Sequence, residues 1–271
     1  VAATKEGMGM NPQEHFVVAD SVYSYMRAQD EQRAAQTKIW NDLVDSHANG
    51  QALRSDLAEL NLESVDWPTF ETGSSMATRN ANGAVIQEIA KAVPNFVGGS
   101  ADLAGSNKTT IKGSGHWSPD SFEGNNIHFG IREHAMAAIC NGMILHGGVH
   151  PYCATFLVFH DYMRPSVRLA GIMHQPVTFV YTHDSIYVGE DGPTHQPIEQ
   201  LESMRLIPNL WVFRPADANE TSIVWKQALS RRDGPSALCF TRQGLPILDA
   251  QSVSGAENGG YILADESGEG T

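Results

Sequence analysis

The spacing of apolar positions changes partway along this chain, and that change predicts where its organisation changes. In residues 34–46, Ile39, Leu43 and Val44 fall at helical spacing, and Leu53, Leu57 and Leu60 repeat it in a second segment. Residues 1–72 therefore predict a helical linker or lead-in. Strand formers are few there, Gln, Asn and Asp are many, and Trp67-Pro68 breaks the pattern. From residue 73 helical and strand-like runs alternate. Ser74 or Ser75 is placed to cap a helix running to residue 92, with Ala81, Val85, Ile89 and Ala92 on one face. Strands are predicted at FVGGS (96–100), at residues 151–156, at PVTFVY (176–181), at LWVFRP (210–215) and at SALCFTR (236–242). HFGI (128–131) leads into a helix whose first turn carries Arg132 and Glu133, and further helices are predicted at 161–174, near 200–207 and at 217–230. Strand and helix alternating through short links imply mostly parallel strands with helices on both faces. The prediction is a doubly wound α/β domain over residues 73–250. Residues 251–271 begin another strand at GGYILAD and then stop in ESGEGT, which reads as the start of a truncated C-terminal region.

Composition narrows the function classes. The chain has 271 residues and a net charge of -13, from 31 acidic against 18 basic side chains. Nucleic acid and an anionic membrane both need a basic face, so neither is predicted as a partner. No apolar run is long enough to span a bilayer, and VAATKEGMG lacks the order of a signal peptide. Three cysteines, Cys140, Cys153 and Cys239, lie in apolar contexts without metal-type spacing. They predict buried, reduced thiols and a cytoplasmic location. An anionic substrate would need local cations inside this acidic envelope, which directs attention to Arg79, Arg242 and the histidines.

The richest chemistry lies in YTHDSIYVGEDGPTHQPIE (181–199), where His183, Asp184, Glu190, Asp191 and His195 follow a strand on a Gly/Pro-punctuated loop. Open α/β sheets place ligands at such strand ends, although a polar surface loop would read the same way. GSADLAGSNKTT offers Asp102 and Ser106 after the first strand, and Asp102 could equally cap a helix. Glu133 sits in a first helical turn, where the backbone dipole favours an anion for purely structural reasons too. Phe156, Phe159 and Tyr162 recur every third residue in CATFLVFHDYM. That spacing fits a core seam or a stacking pocket for a flat heterocycle. His183, Asp184, Asp191 and His195 are also ligand types for zinc or a hydrolytic metal, but one loop would have to supply most of them, without helical i, i+4 histidines. No phosphate-binding G-x-x-x-x-G-K-[ST], strand-anchored G-x-G-x-x-G or G-x-S-x-G elbow is present.

Four strings, GGSADLAGSN, NNIHFGIREHAM, YCATFLVFHDYMRPSVRLA and THDSIYVGEDGPTHQPIEQL, closely resemble the pyrimidine-binding middle domain of transketolase, in order over residues 73–245. The related loops of 1-deoxyxylulose-phosphate synthase and the 2-oxo acid dehydrogenases differ here. The resemblance implies transfer of a two-carbon ketol unit from a ketose phosphate to an aldose phosphate, using thiamine diphosphate with magnesium or calcium. Glu133 matches the glutamate that hydrogen-bonds N1′ of the cofactor's aminopyrimidine, and Phe159, Phe156 and Tyr162 match the aromatic pocket around that ring. Asp102 matches a carboxylate near the thiazolium. His183 and His195 match histidines of the substrate channel, Asp191 the carboxylate that reads a sugar hydroxyl, and Arg79, Ser106 and Arg242 the groups that hold the sugar phosphate. Histidines with an ordinary pKa near neutrality suit proton transfer there.

The departures are equally definite. The family's GDG…N motif, which binds diphosphate and metal in an N-terminal domain, is absent, as is the C-terminal domain. No metal ligand is therefore assigned in this chain. The resemblance implies a half-site that is inactive alone and completed in a homodimer or by a partner chain carrying the diphosphate-binding domain. The alternatives are a non-catalytic scaffold or interaction fragment, or another thiamine-diphosphate enzyme.

Overall fold

The computed structural model describes residues 1–48, 50 and 60–265. The chain divides into two compact units, Val1–Ser55 and Asp56–Thr271. The first unit contains helices α1 (Ala2–Gly7), α2 (Asp20–Arg27) and α3 (Asp30–Ser46). The predicted helix over 34–46 forms but starts earlier, where Asp30 and Glu31 give the first turn the acidic residues its dipole favours. Of its apolar face only Val44 is buried, while Ile39 and Leu43 are exposed. In the second predicted helical segment, Leu53 and Leu57 lie outside the described residues. Leu60 has no regular structure and packs on the core of the second unit.

The second unit is built on strands β1 (Ser75–Met76), β2 (Phe96–Ser100), β3 (Asn126–His128), β4 (His150–Phe156), β5 (Thr178–Thr182), β6 (Trp211–Phe213), β7 (Ser236–Phe240) and β8 (Leu245–Pro246). Its helices are α4 (Thr78–Ala92), α5 (Ala104–Asn107), α6 (Glu133–His146), α7 (His160–Ile172), α8 (Gln200–Arg205) and α9 (Ala218–Ser230). Six strands form one sheet in the order β3-β2-β4-β5-β7-β6, and every neighbouring pair is parallel. This is the doubly wound α/β class that the alternating pattern predicts. After β2 the chain runs outward to β3, then returns to place β4 on the other side of β2. The crevice beyond the β2 and β4 carboxyl ends is thus a switch point, the place where such sheets bind ligands.

Alternation along the strands sorts the core into two layers. Phe179, Tyr181, Ala237 and Cys239 face α6 and α7 through Met136, Cys140, Met163 and Val167. Val180, Leu238 and Phe240 face α4 and α9 through Val85, Ile89, Val224 and Trp225. Burying each large apolar side chain of this kind contributes about 1.5–3 kcal/mol. All three cysteines are buried free thiols. The glycines of β2 serve close approach: a Cβ on Gly98 would lie 2.3 Å from the Tyr152 carbonyl oxygen, and one on Gly99 1.9 Å from that of Ile127.

Two expectations fail locally. Ser74 and Ser75 do not cap α4. Ser75 pairs instead with Pro246 in a two-stranded antiparallel sheet, β1 with β8, and the helix begins at Thr78. The cap comes from far along the chain, since the Thr241 hydroxyl accepts the Thr78 backbone N–H at 3.0 Å. The segment GGYILAD forms no strand among its described residues. A 3-10 turn at Ser254–Asn258 ends at Gly259 with φ +81°, and Tyr261 then turns inward so that its hydroxyl donates to Glu220. The following ESGEGT lies outside the described residues.

Candidate active site

The spacing of three between Phe156, Phe159 and Tyr162 is explained by local structure. Between β4 and α7 the chain makes a 3-10 turn at Leu157–Phe159, with three residues per turn, so side chains three apart lie over one another. Phe156 and Phe159 are parallel within 10° at 6.1 Å between centroids, and Phe159 and Tyr162 lie 6.0 Å apart at 28°. Tyr162 is 64% exposed, so the series is the wall of a cleft rather than a core seam. That cleft, of about 520 Å³, is lined by Asp102, Glu133, Phe156, Phe159, Tyr162 and His195, with Ala101, Leu103 and Ile131 adding apolar surface. Glu133 is buried at the start of α6, where the helix dipole faces its carboxylate. Asp102 lies two residues beyond the end of β2 and has φ +59°, a conformation uncommon outside glycine.

The remaining predicted residues gather beside this cleft. Arg79, in the first turn of α4, donates from Nη1 to the Ser106 backbone carbonyl at 2.8 Å, and the same nitrogen lies 3.5 Å from His183 Nε2. Ser106 thus meets Arg79 through its main chain, not its hydroxyl. Arg242 is close enough to Arg79 that, after burial, its charge further lowers the Arg79 pKa. His183 is buried and held at φ +58° immediately after β5. Burial first, then the charges of Arg79 and Arg242, push its pKa down to about 4, against the opposing pull of Asp191. This corrects the expectation of a His183 that titrates near neutrality: the imidazole is neutral.

The two groups meet at the Phe156 ring. Its centroid lies 3.7 Å from that of His183, and the His195 ring stands edge-on to Phe159 at 5.4 Å. Asp184 turns away from the cleft. Its carboxylate is buried and accepts from Arg214 Nε at 2.7 Å, which anchors the loop after β5. Among the described residues no three His, Cys, Asp or Glu side chains are grouped to hold a metal ion. Nor, among them, is any helix long and apolar enough to cross a membrane. The sequence reading missed Ala101, Leu103 and Ile131 as cleft lining. Ile131 carried a signal, a large apolar residue directly before Arg132 and Glu133 that remains exposed. It also missed Asn107 and Thr182, buried polar residues directly behind His183.

The fold and the cleft define a class: a parallel α/β domain whose switch point carries an aromatic wall beside one buried carboxyl. Residues 74–247 match the family "Transketolase, pyrimidine binding domain", and the chain belongs to that family. A curated transketolase from Geobacillus stearothermophilus is 47% identical over 96% of this chain. The chain spans 41% of that relative's length. The transketolase of Pichia stipitis solved in complex with sedoheptulose-7-phosphate superimposes with a TM-score of 0.87 at 37% identity, over 98% of this chain and 42% of that one. A structure described as a split-gene transketolase, inactive beta4 tetramer, matches with a TM-score of 0.54 at 29% identity, over 65% of this chain and 55% of that one. Membership of this family implies thiamine diphosphate as the cofactor.

Proposed function

We propose that this chain supplies the pyrimidine and substrate half of a transketolase site, moving a two-carbon ketol unit from a ketose phosphate to an aldose phosphate in the cytoplasm. The observation that carries the reading is the cleft itself, where three aromatic rings and the buried Glu133 converge beside His183, Arg79 and Arg242. The donor set suits thiamine diphosphate: a flat pyrimidine fits between apolar and aromatic walls, and Glu133 offers the one carboxyl that a ring nitrogen inside them would need. When bound, the cofactor supplies the carbon nucleophile that the protein side chains lack.

The side chains then divide the work. Phe156, Phe159 and Tyr162 hold the pyrimidine and exclude water from one face, and Glu133 exchanges a proton with N1′. Asp102 lies on the thiazolium side. His183 and His195 orient and exchange protons with sugar oxygens, and Asp191 reads a sugar hydroxyl. Arg79 and Arg242, with Ser106, hold the phosphate through charge-assisted hydrogen bonds. The strings that carry the family resemblance support these roles, residue by residue.

Residues 73–250 act in this reading as the pyrimidine-binding domain, with 1–72 as its lead-in. The diphosphate and its magnesium or calcium are held elsewhere, because the GDG…N motif is absent from this sequence. In this reading a domain that carries that motif completes the site, across a dimer interface or on a partner chain. The similarity to a split-gene transketolase supports the second arrangement. The cytoplasmic assignment draws on three free, buried thiols, which suit a reducing compartment. The decisive test is complementation. The purified chain alone should transfer no ketol unit, and adding a separately produced transketolase N-terminal domain should restore turnover. Failure to restore it with any such domain would favour a non-catalytic scaffold.

A further inference from the structure

Burial alternates along the segment that follows α5. Thr109 and Ile111 are buried, whereas Lys108, Thr110 and Lys112 are exposed. The inward residues are held by hydrogen bonds. The Tyr152 hydroxyl donates to the Thr109 carbonyl at 2.5 Å. Asn126 grips Ile111 twice, accepting its backbone N–H at 2.8 Å and donating to its carbonyl at 2.9 Å. With 109 and 111 turned to the core, residues 108, 110 and 112 share the opposite side, as a repeat of two requires. Gln87 of α4 braces the segment from across a gap. Its Nε2 donates to the Thr110 carbonyl at 3.1 Å, and its Oε1 accepts the Lys112 backbone N–H at 2.8 Å.

The result is a hollow of about 480 Å³ with Lys108, Thr110 and Lys112 on one side and Asn80, Gly83 and Ala84 of α4 on the other. Gly83 lets the two walls meet, since a Cβ there would lie 3.0 Å from Lys108 Cβ. Lys108 closes α5 with φ +59° and ψ +40°, its backbone N–H bonded to the Ala104 carbonyl. Glycine or asparagine is the usual residue at such a helix end, because a Cβ disfavours the left-handed backbone. A lysine there sacrifices backbone stability and delivers a cation, so the local fold does not account for it. Nor does an ion pair. Among the described residues neither Lys108 nor Lys112 meets a carboxylate, and Glu88, one turn beyond Ala84, is taken by Lys91 at 2.6 Å. The Asn80 side-chain amide and the Thr110 hydroxyl also have no partner among the described residues. In a chain of net charge -13, two uncompensated ammonium groups therefore line one braced hollow.

We propose that this hollow is a second anion site, separate from Arg79 and Arg242, and that it takes a small phosphate monoester. Two ammonium groups, a hydroxyl and an amide present donors to one point. A phosphate monoester brings about two negative charges and three strong acceptor oxygens to meet them. A single carboxylate would leave one ammonium uncompensated. Gly83 and Ala84 leave a smooth floor of small residues on which the organic part of the ester rests. The inference does not depend on the reading of the cleft.

The test is an amide nitrogen–proton spectrum of the 271-residue chain titrated with glycerol phosphate, compared with sodium chloride at the same ionic strength and with glycerol. The Gly83, Thr110 and Lys112 signals should shift saturably with glycerol phosphate alone. Lys108→Gly suits the left-handed backbone and removes the charge, so it should raise the urea midpoint and yet weaken binding. Lys112→Gln should weaken it as well, each by about tenfold or more, the loss expected for one charge-assisted contact. Arg79→Ala should leave the shifts in place. Sodium chloride reproducing the shifts would overturn the inference, as would lysine variants that bind like the parent. Shifts abolished by Arg79→Ala would return the signals to the cleft and overturn it too. If Lys108→Gly fails to fold, Lys112→Gln, an exposed side chain without a partner, decides alone.

Discussion

The Phe156 ring lies on the His183 imidazole, their centroids 3.7 Å apart and their planes inclined by 27°. One ring therefore serves two neighbours, the aromatic wall on one side and the Arg79–His183 group on the other. The arrangement follows from the fold. Phe156 ends β4 and Thr182 ends β5, and the two are register partners in adjacent parallel strands, so the residue after Thr182 emerges beside the phenylalanine.

Replacing Phe156 with alanine should open the His183 ring to water. Burial is the first cause of its lowered pKa, so the value should climb from about 4 toward the ordinary 6.5. An NMR titration of the His183 ring protons measures this directly. An unmoved midpoint would show that Arg79 and Arg242, not the stack, keep the imidazole neutral.

Glu133→Gln preserves shape and hydrogen-bonding capacity but cannot exchange a proton with N1′. In the complemented enzyme, turnover should fall by at least about 10²-fold, as when a positioned acid is removed. Substrate affinity should change far less. A carboxylate that merely favours the helix start would cost about 0.3–1 kcal/mol of stability and leave turnover intact. The exchange rate of the C2 proton of bound thiamine diphosphate, read by NMR, separates the two roles.

Arg79→Ala and Arg242→Ala should each weaken phosphorylated donors much more than an unphosphorylated ketose. A lost charge-assisted contact is worth roughly 1.5–3 kcal/mol, or about ten- to a hundredfold in affinity. Steady-state kinetics on paired donors provide the comparison. Equal losses on both would remove the arginines from phosphate binding.

Acid should destabilise this chain in a defined window. His150, His160 and His183 have folded-state pKa values pushed down to about 4 from 6.5, by burial first and then by Arg232, Arg164 and Arg79 respectively. Because the folded values lie below the unfolded ones, unfolding takes up protons between those limits. The contribution to stability is fully present above pH 6.5 and is lost as pH falls toward about 4. Urea midpoints measured across that window should decline, and His160→Asn should flatten the decline. A midpoint that does not change with pH would contradict the depressed values.

The sequence was informative where local pattern and fold agree. Runs such as TFVYT and SALCF are buried throughout and largely apolar because parallel strands are covered on both faces, and their alternation with helical runs made the α/β class legible. The aromatic triplet was legible as a set, but its choice between seam and cleft depended on Tyr162 lying beyond the 3-10 turn at the surface. What long-range contacts decide stayed hidden. Thr241 takes over the capping role expected of Ser74 or Ser75, across a separation of 163 residues. Asn107 and Thr182 meet across 75. Nothing in the text of GGYILAD reveals that Tyr261 prefers Glu220 to a strand partner.

The small pairing of β1 with β8 joins Ser75 to Pro246 and Met76 to Leu245. Arg79 follows one side of this clasp in the sequence and Arg242 precedes the other, so two cations from opposite ends of the domain are brought together, and after burial the Arg242 charge further lowers the Arg79 pKa. The proximity of the two guanidiniums is by itself electrostatically unfavourable. A dianion bridging the two guanidiniums would reverse the sign of the interaction and act as a non-covalent crosslink between the first and last segments of the domain. Under the proposed phosphate-holding role, occupancy would be coupled to chain closure, and by mass action a sugar phosphate would raise the resistance of both segments to unfolding and proteolysis together.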